Sequence, residues 1–192
     1  MGSKLVALCL IAVAAYAQEA KPVIDNEHVT VWDQPDFKSQ TNLAYDHDVV
    51  VMWLTGPYAG TAAFIPRGSH YKPSRARSVI IELKDAPTAR YENKTGYPPA
   101  FPRPHVKKLL ENNRVVVWSY RWNPGEPTPM HFHDKDVVVV YLEDTALIST
   151  TPDGVKKLNE YKAFDIRFNK GNRTHTELLA HGTGSAMMME LK

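Results

Sequence analysis

Two histidines in the second half of the chain have the types and spacing of a metal site. His131 and His133 lie in the segment GEPTPMHFHDKD (125–136). Residues two apart in an extended strand point to the same side, so both imidazoles are expected on one face. His175, just after the glycine turn of GNRTHTELL (171–179), is the predicted third ligand from another strand. Three neutral imidazoles suit a divalent ion such as iron, manganese, zinc, nickel or copper, and they leave positions open for water or a substrate.

A carboxylate is predicted beside these histidines. Glu177 shares a strand face with His175, and it is expected to bind the metal or to orient an imidazole from behind. An exposed acid on a loop is the alternative for Glu177. For His131 and His133 the alternative is a hydrogen-bonded pair in a barrel that no longer binds metal. A metal site is favoured because the neighbouring residues supply no polar partners for an inward-facing pair.

Short strands must position these residues, because helical periodicity is almost absent. Connectors such as TPDG (151–154) and NKGN (169–172) have the composition of turns. A sandwich or barrel is therefore predicted. The β-branched or aromatic runs that predict strands are residues 29–33, 48–54, 61–65, 78–84, 114–122, 136–142, 145–150 and 185–192.

Three aromatic residues alternate along the run that leads to the histidine motif. Trp118, Tyr120 and Trp122 share one strand face because they are spaced two residues apart. They are expected in the core, and they would line a pocket beside the metal if that face is the barrel interior.

Several runs occur twice in the same order, which indicates a tandem duplication. The matched pairs are VTVWD (29–33) with VVVWS (115–119), HDVVVMWL (47–54) with KDVVVVYL (135–142), and RSVIIELK (77–84) with SAMMMELK (185–192). A first copy is predicted over 25–85 and a second over 113–192. Residues 86–112 between them are rich in proline and aromatic residues, and they predict a surface linker that ends in a short helix at 105–112.

The first copy is expected to hold no metal. Leu43 and Tyr45 stand at the positions of the histidine pair. His70 lies near the position of the third histidine, but like His47 it is expected to be a polar residue of the surface or core. Only the second copy should therefore bind metal.

The histidine motifs resemble those of the cupin superfamily. The first cupin motif has a glycine, five residues, a His-x-His pair and then a glutamate. Gly125 and the histidine pair match it, whereas Val137 stands at the glutamate position. The second motif, Pro-x-Gly-x-x-His-x-x-x-Asn, is represented by Gly171 and His175.

With the duplicated strands, this resemblance covers nearly the whole chain after its N-terminal segment. It implies an all-β fold, the double-stranded β-helix or jelly-roll barrel of cupins, in two tandem copies of which the first is degenerate. Cupins similar to this one include dioxygenases, isomerases, decarboxylases and lyases. Some dioxygenases of the superfamily use three histidines without the glutamate.

The N-terminal segment MGSKLVALCLIAVAAYA (1–17) has the layout of a secretory signal peptide, with one lysine, a short apolar run and a small-x-small triplet. It predicts a secreted or periplasmic protein. The apolar run is shorter than the ~20 residues of a membrane-spanning helix, so no stable membrane insertion is expected. Cys9 falls inside this segment, which leaves the exported chain without disulfides. The formal net charge of +2 does not indicate nucleic acid binding.

Three functions stay open on the sequence alone. The first is a metal-dependent enzyme, with dioxygenase-type oxygenation as one reaction, that acts on a small organic molecule. The second is an exported binding protein that captures a small molecule without turnover, with or without metal. The third is an assembly subunit that forms a homodimer through exposed strands. No residue is assigned to catalytic proton transfer.

Overall fold

The computed structural model describes residues 21–34, 43–72 and 75–192. The predicted signal segment 1–17, with Cys9, lies outside these residues. The described chain is built almost entirely of β-strands, and its one helical element is the short 3₁₀ turn Gly56–Tyr58. No helix in this part of the chain is long and apolar enough to cross a membrane.

The first half forms one large sheet and one small pair of strands. Its strands, in chain order, are β1 Ile24–Asp25, β2 Val29–Gln34, β3 Leu43–Ala44, β4 Asp48–Trp53, β5 Thr61–Ile65, β6 His70–Tyr71 and β7 Ser78–Leu83. Five of them make an antiparallel sheet in the order β1-β2-β7-β4-β5. The short strands β3 and β6 pair with each other.

The second half forms two sheets that enclose a core. Its strands are β8 Val106–Glu111, β9 Val115–Arg121, β10 His131–His133, β11 Val137–Tyr141, β12 Thr145–Thr150, β13 Lys156–Tyr161, β14 Ile166–Asn169, β15 Arg173–Gly182 and β16 Ser185–Leu191. One sheet has the order β14-β11-β16-β9-β8 and the other β10-β15-β12-β13. Core residues come from both sheets, including Val139 and Met188 from one and Leu147 and Leu179 from the other. This arrangement confirms the predicted all-β jelly-roll barrel.

The same strand order occurs in both halves. The order β2-β7-β4-β5 of the first half corresponds to β9-β16-β11-β14 of the second, and β3 pairs with β6 as β10 pairs with β15. The second half adds the hairpin of β12 and β13, which extends the sheet beside β15. The residue limits 25–85, 86–112 and 113–192 stay a prediction.

A shared hydrophobic layer joins the two halves. One face of the first sheet contributes Val50, Val79 and Ile81, and the second half contributes Met187 and Met189 to the same cluster. Alternate residues of β11 and β16 point instead into the second barrel. The central strands are therefore buried on both faces, which explains why they are almost continuous runs of valine and methionine rather than alternating patterns.

The helix predicted at 105–112 is wrong. Strand β8 occupies this segment and pairs with β9, with a register shift between Lys108 and Leu110. The bulge lets the adjacent Leu109 and Leu110 both pack against the shared layer, while Val106 packs against the core of the second barrel. Apolar residues spaced three and four apart therefore look helical in the sequence although they belong to a bulged strand.

The proline-rich segment before β8 is not confined to the surface. The Phe132 N–H donates to the carbonyl of Pro98 (2.9 Å), and the Ala100 N–H donates to the carbonyl of Phe132 (2.8 Å). This segment therefore runs beside β10 and covers its free edge. Ala100 and Phe101 are buried as a result.

Candidate metal centre

The structure brings the three predicted histidines together. Strands β10 and β15 are antiparallel neighbours, and their register places His131 directly opposite His175. The Nε2 atom of His133 lies 3.2 Å from Nε2 of His131 and 3.1 Å from Nε2 of His175. Two nitrogens that bind one ion at ~2.0–2.1 Å lie about 2.8–3.4 Å apart at octahedral or tetrahedral angles. These two distances are in that range, and the ligand atoms of all three histidines lie within 4.8 Å of one another, so the group could hold one metal ion.

The other ring nitrogens point away from the shared centre. Nδ1 of His131 lies 2.7 Å from the carbonyl oxygen of Pro129, an acceptor, so this nitrogen is assigned the proton. Nδ1 of His175 lies 3.3 Å from the hydroxyl of Ser149. Nδ1 of His133 is buried without a hydrogen-bond partner among the described residues. In His131 and His175 these contacts leave Nε2 as the nitrogen for a metal.

Burial keeps the three imidazoles neutral. It lowers the pKa of His131 to about 3, with a further contribution from the charge of Arg103. Burial also holds the pKa of His133 well below its usual value, and it lowers that of His175. Neutral imidazoles have the free lone pair that a metal ion requires.

Arg103 is a site residue that the sequence analysis missed. Its side chain is 4% exposed, and Nη1 lies 2.8 Å from Nε2 of His131. The guanidinium also lies over the rings of Tyr120, at 4.2 Å, and Phe101, at 5.0 Å. A metal ion bound to Nε2 of His131 would use the lone pair that Nη1 of Arg103 contacts in this structure. The only sequence signal was a cation among prolines in PPAFPRPH (98–105), the segment predicted to be a surface linker.

Glu177 lies in the same buried region as the histidines, but its carboxylate is outside the group of three converging nitrogens. Its Oε2 accepts a hydrogen bond from the Trp122 indole (3.1 Å) and lies 3.6 Å from Nη2 of Arg103. Burial alone would raise the pKa of Glu177, but the neighbouring His175 and Arg103 lower it overall. Its role as a metal ligand stays a prediction, and its contact with Arg103, which also contacts His131, places its carboxylate near the three histidines.

The turn before β15 is fixed by a close approach. A Cβ atom on Gly171 would lie 2.5 Å from the ring of Tyr91 and 2.9 Å from the carbonyl of Lys135, so no larger residue fits. The Gly171 N–H also donates to Asp136 (2.7 Å). These contacts hold the start of β15 against β10 and so align His175 with the histidine pair.

The three alternating aromatic residues face the interior of the second barrel, as predicted. Trp118, Tyr120 and Trp122 belong to its buried core. Phe101 stacks on Trp118 with a centroid distance of 5.4 Å, and its ring edge approaches His133 at 6.3 Å. These rings form an apolar wall behind the histidines.

A cavity of about 710 Å³ opens beside His133 and His175. Its apolar wall includes Val139 and Met188, and Tyr141 stacks on Tyr161 at 3.8 Å. Such a volume holds a small organic molecule. The charged residues that line it are Arg103, Lys157, Glu160, Arg167, Arg173 and Glu177.

The corresponding place in the first half has different residues. The pairing of β3 with β6 sets Leu43 opposite Tyr71, the register positions of His131 and His175. His70 is therefore offset by one residue from the expected position, and it is exposed. The described part of the chain contains one cluster of potential metal ligands, and it lies in the second half.

Two known proteins are each similar to part of this chain. No family model matches the chain. The β-alanine degradation protein BauB of Pseudomonas aeruginosa is 40% identical over 60 residues, which are 31% of this chain and 59% of that protein. A cupin domain of Bordetella pertussis is 24% identical, covers 48% of this chain and 99% of its own, and has a TM-score of 0.42.

A second solved structure matches at greater length. The cupin 2 conserved barrel domain protein of Leptotrichia buccalis covers 89% of this chain and 87% of its own, with a TM-score of 0.54 at 14% identity. At this identity the likeness concerns the fold, and it spans both halves of the chain. The chain therefore has the fold of this cupin barrel protein.

Proposed function

We propose that this chain is an exported, metal-binding cupin that holds a divalent transition metal on His131, His133 and His175 and takes a small organic molecule into the adjoining cavity. The observation that supports this proposal is the convergence of three buried imidazoles, in which Nε2 of His131 and Nε2 of His175 both lie within 3.2 Å of Nε2 of His133. Export rests on the signal-like segment 1–17.

The cavity supports a small organic ligand. It adjoins two of the three histidines, and its walls combine aliphatic, tyrosine and charged side chains. A relative named for β-alanine degradation matches part of the chain and supports a small organic compound as the ligand class. A bound divalent metal would supply Lewis-acid chemistry or, if it is a redox metal such as iron, one-electron chemistry.

The chain's own residues would position the ligand and exclude water. Tyr141 and Tyr161 form a stacked wall, and Met188 closes the apolar side. Glu177 is held as a carboxylate near the histidines by Trp122 and Arg103. We favour metal-dependent turnover, with dioxygenase-type oxygenation as the first reaction to test. Binding without turnover is the second candidate, because the same cavity serves it equally well.

Metal content tests the proposal most directly. The protein is purified without added metal, loaded with one divalent ion at a time, and passed through a desalting column before elemental analysis. We expect one ion per chain for the unmutated protein and almost none for His131→Ala. His70→Ala, an exposed histidine of the first half, is the matched control and should keep the full stoichiometry. The proposal would be contradicted if the unmutated protein retained no transition metal.

A further inference from the structure

Positively charged side chains outnumber negatively charged ones around the cavity. Arg103 and Arg173 are the arginines that lie closest in sequence or space to the histidines, and both line the cavity. Glu177 is the one carboxylate that lines it on the histidine side, since Glu160 is largely exposed and pairs with His181. A divalent ion on three neutral imidazoles would add two more positive charges. An anionic ligand would balance these charges.

The guanidinium of Arg103 already has interaction partners within the protein. It contacts His131, pairs with Glu177 at 3.6 Å, and is enclosed by the rings of Tyr120 and Phe101. It therefore neutralises the single nearby carboxylate. The second arginine feels Glu177 and Asp136 only at longer range, and no carboxylate of the described chain lies at ion-pair distance from it.

Arg173 is that second arginine. It lies on β15 two residues before His175, so both side chains are on the same face of the strand, and the register places it opposite His133. Its Nε donates to the carbonyl of Lys170 (2.6 Å). No carboxylate pairs with it in the described chain, and its two Nη groups have no acceptor there. Burial lowers its pKa, as expected for a guanidinium partly removed from water.

We infer that the ligand of this cavity is a small organic acid, and that the guanidinium of Arg173 receives its carboxylate. The planar fork of an arginine matches a carboxylate through two parallel hydrogen bonds. The rest of the ligand would then lie against Val139 and Met188 and face the histidines. This inference rests on the proposed function, because it names the ligand class of the same site.

Matched carboxylates and amides test the inference. Binding of acetate, propanoate, 3-hydroxypropanoate, malonate and succinate to the zinc-loaded protein is measured by calorimetry, and each acid is compared with its uncharged amide. We expect at least one acid to bind about tenfold or more tightly than its amide. Arg173→Gln should weaken the binding of that acid by about tenfold or more. Arg173→Lys keeps the charge but loses the planar fork, so its affinity should lie between those of the unmutated protein and Arg173→Gln.

Arg167→Gln is the matched control. Arg167 lines the same cavity, but it is 53% exposed and pairs with Asp165 at 3.2 Å. The Arg167→Gln substitution should therefore change the affinity for the acid by less than about threefold. Equal binding of acids and amides, equal losses in the two glutamine variants, or no binding of any acid would overturn the inference. Acids held only by the metal would keep their affinity in Arg173→Gln, which would also overturn it.

Zinc content is measured in the same samples, together with the thermal unfolding midpoint of each variant. All variants are expected to hold one zinc ion. A protein without zinc would show that the proposed function itself has failed, which is distinct from a zinc-loaded protein that does not prefer acids.

Discussion

The two halves of this chain have the same strand order but different chemistry. In the second half, β10 and β15 bring His131 opposite His175. In the first half, β3 and β6 pair in the same way, but Leu43 stands opposite Tyr71. The framework that aligns two strands is thus common to both, and the side chains at a few register positions decide whether metal ligands converge. Fold and site are separable properties of this molecule.

The interiors of the two halves differ accordingly. The first interior is filled by Val49, Val51, Tyr71 and Ile80, with Tyr45 packed against them. Burial raises the pKa of Tyr45 to about 12, so this residue stays a neutral phenol at the place where the second half has His133. The second interior instead has a cavity that reaches its histidines. The first half therefore resembles a packed core and the second a binding site.

The largest expected effect comes from substitutions at equivalent positions of the two halves. His175→Ala removes one of the three nitrogens proposed to bind the metal and should weaken metal binding by more than about a hundredfold, beyond the loss typical for groups that only orient a ligand. Tyr71→Phe, at the equivalent register position of the first half, should leave metal affinity unchanged. Competition with a chromogenic chelator measures both variants. Loss of metal from Tyr71→Phe would show that the halves are not chemically distinct.

The shared layer between the halves provides the second test. Met187 is completely buried in this layer, whereas its neighbour Met188 faces the cavity. Met187→Ala should lower the free energy of unfolding by about 2–5 kcal/mol because it leaves a closed void. Met188→Ala should cost less, since it enlarges a space that already exists. Urea denaturation followed by fluorescence measures both values, and equal losses would contradict the layered arrangement.

Ser149 offers a smaller and more local test. Its hydroxyl lies 3.3 Å from Nδ1 of His175 and so orients the imidazole. Ser149→Ala should weaken metal binding by about 10- to 100-fold without changing the stoichiometry at saturating metal. Ser149→Thr keeps the hydroxyl and should recover most of the affinity. A threonine variant as weak as the alanine variant would argue against the hydrogen bond.

The contact between the halves at Arg114 gives the smallest expected effect. Its guanidinium donates to Asp48 (3.0 Å) and to the carbonyl of Lys84 (2.6 Å), both in the first half. Because Arg114 and Asp48 are partly exposed, Arg114→Ala should lower the free energy of unfolding by about 1 kcal/mol at pH 7. Chemical denaturation at several pH values provides the measurement.

This loss should depend on pH. Burial acts to raise the pKa of Asp48 in the folded protein. Hydrogen bonds from the Arg67 N–H and from Arg114 outweigh this effect and lower that pKa overall. A lowered carboxyl pKa contributes stability above the unfolded pKa, and this contribution is lost as the pH falls through the folded pKa. The difference between the unmutated protein and Arg114→Ala should therefore shrink below about pH 4. A difference that grows in acid would contradict this sign.

Much of the fold could be predicted because buried strands carry strong patterns. The runs at 61–65 and 145–150 coincide with β5 and β12. Strand β13 escaped prediction because it is rich in polar and charged residues, as in KKLNEY. A strand of this kind is specified by its neighbours in the sheet, and its own sequence is a weak signal.

The sequence by itself predicted which residues could bind a metal. The two-residue spacing of His131 and His133 fixes both imidazoles on one side of a strand, since side chains alternate along extended backbone. The position of His175 after a glycine turn made it the predicted third ligand. The repeated runs also indicated two related halves, because matched strands keep matched patterns.

Only the tertiary structure decided what surrounds those ligands. Arg103 reaches His131 because the proline-rich segment pairs with β10, and Arg173 lines the cavity because the register sets it opposite His133. These contacts join residues that are 28 and 40 positions apart, and local periodicity holds no information about such pairings. The balance of charge around the histidines, and hence the ligand that we infer, is therefore a property of the folded chain.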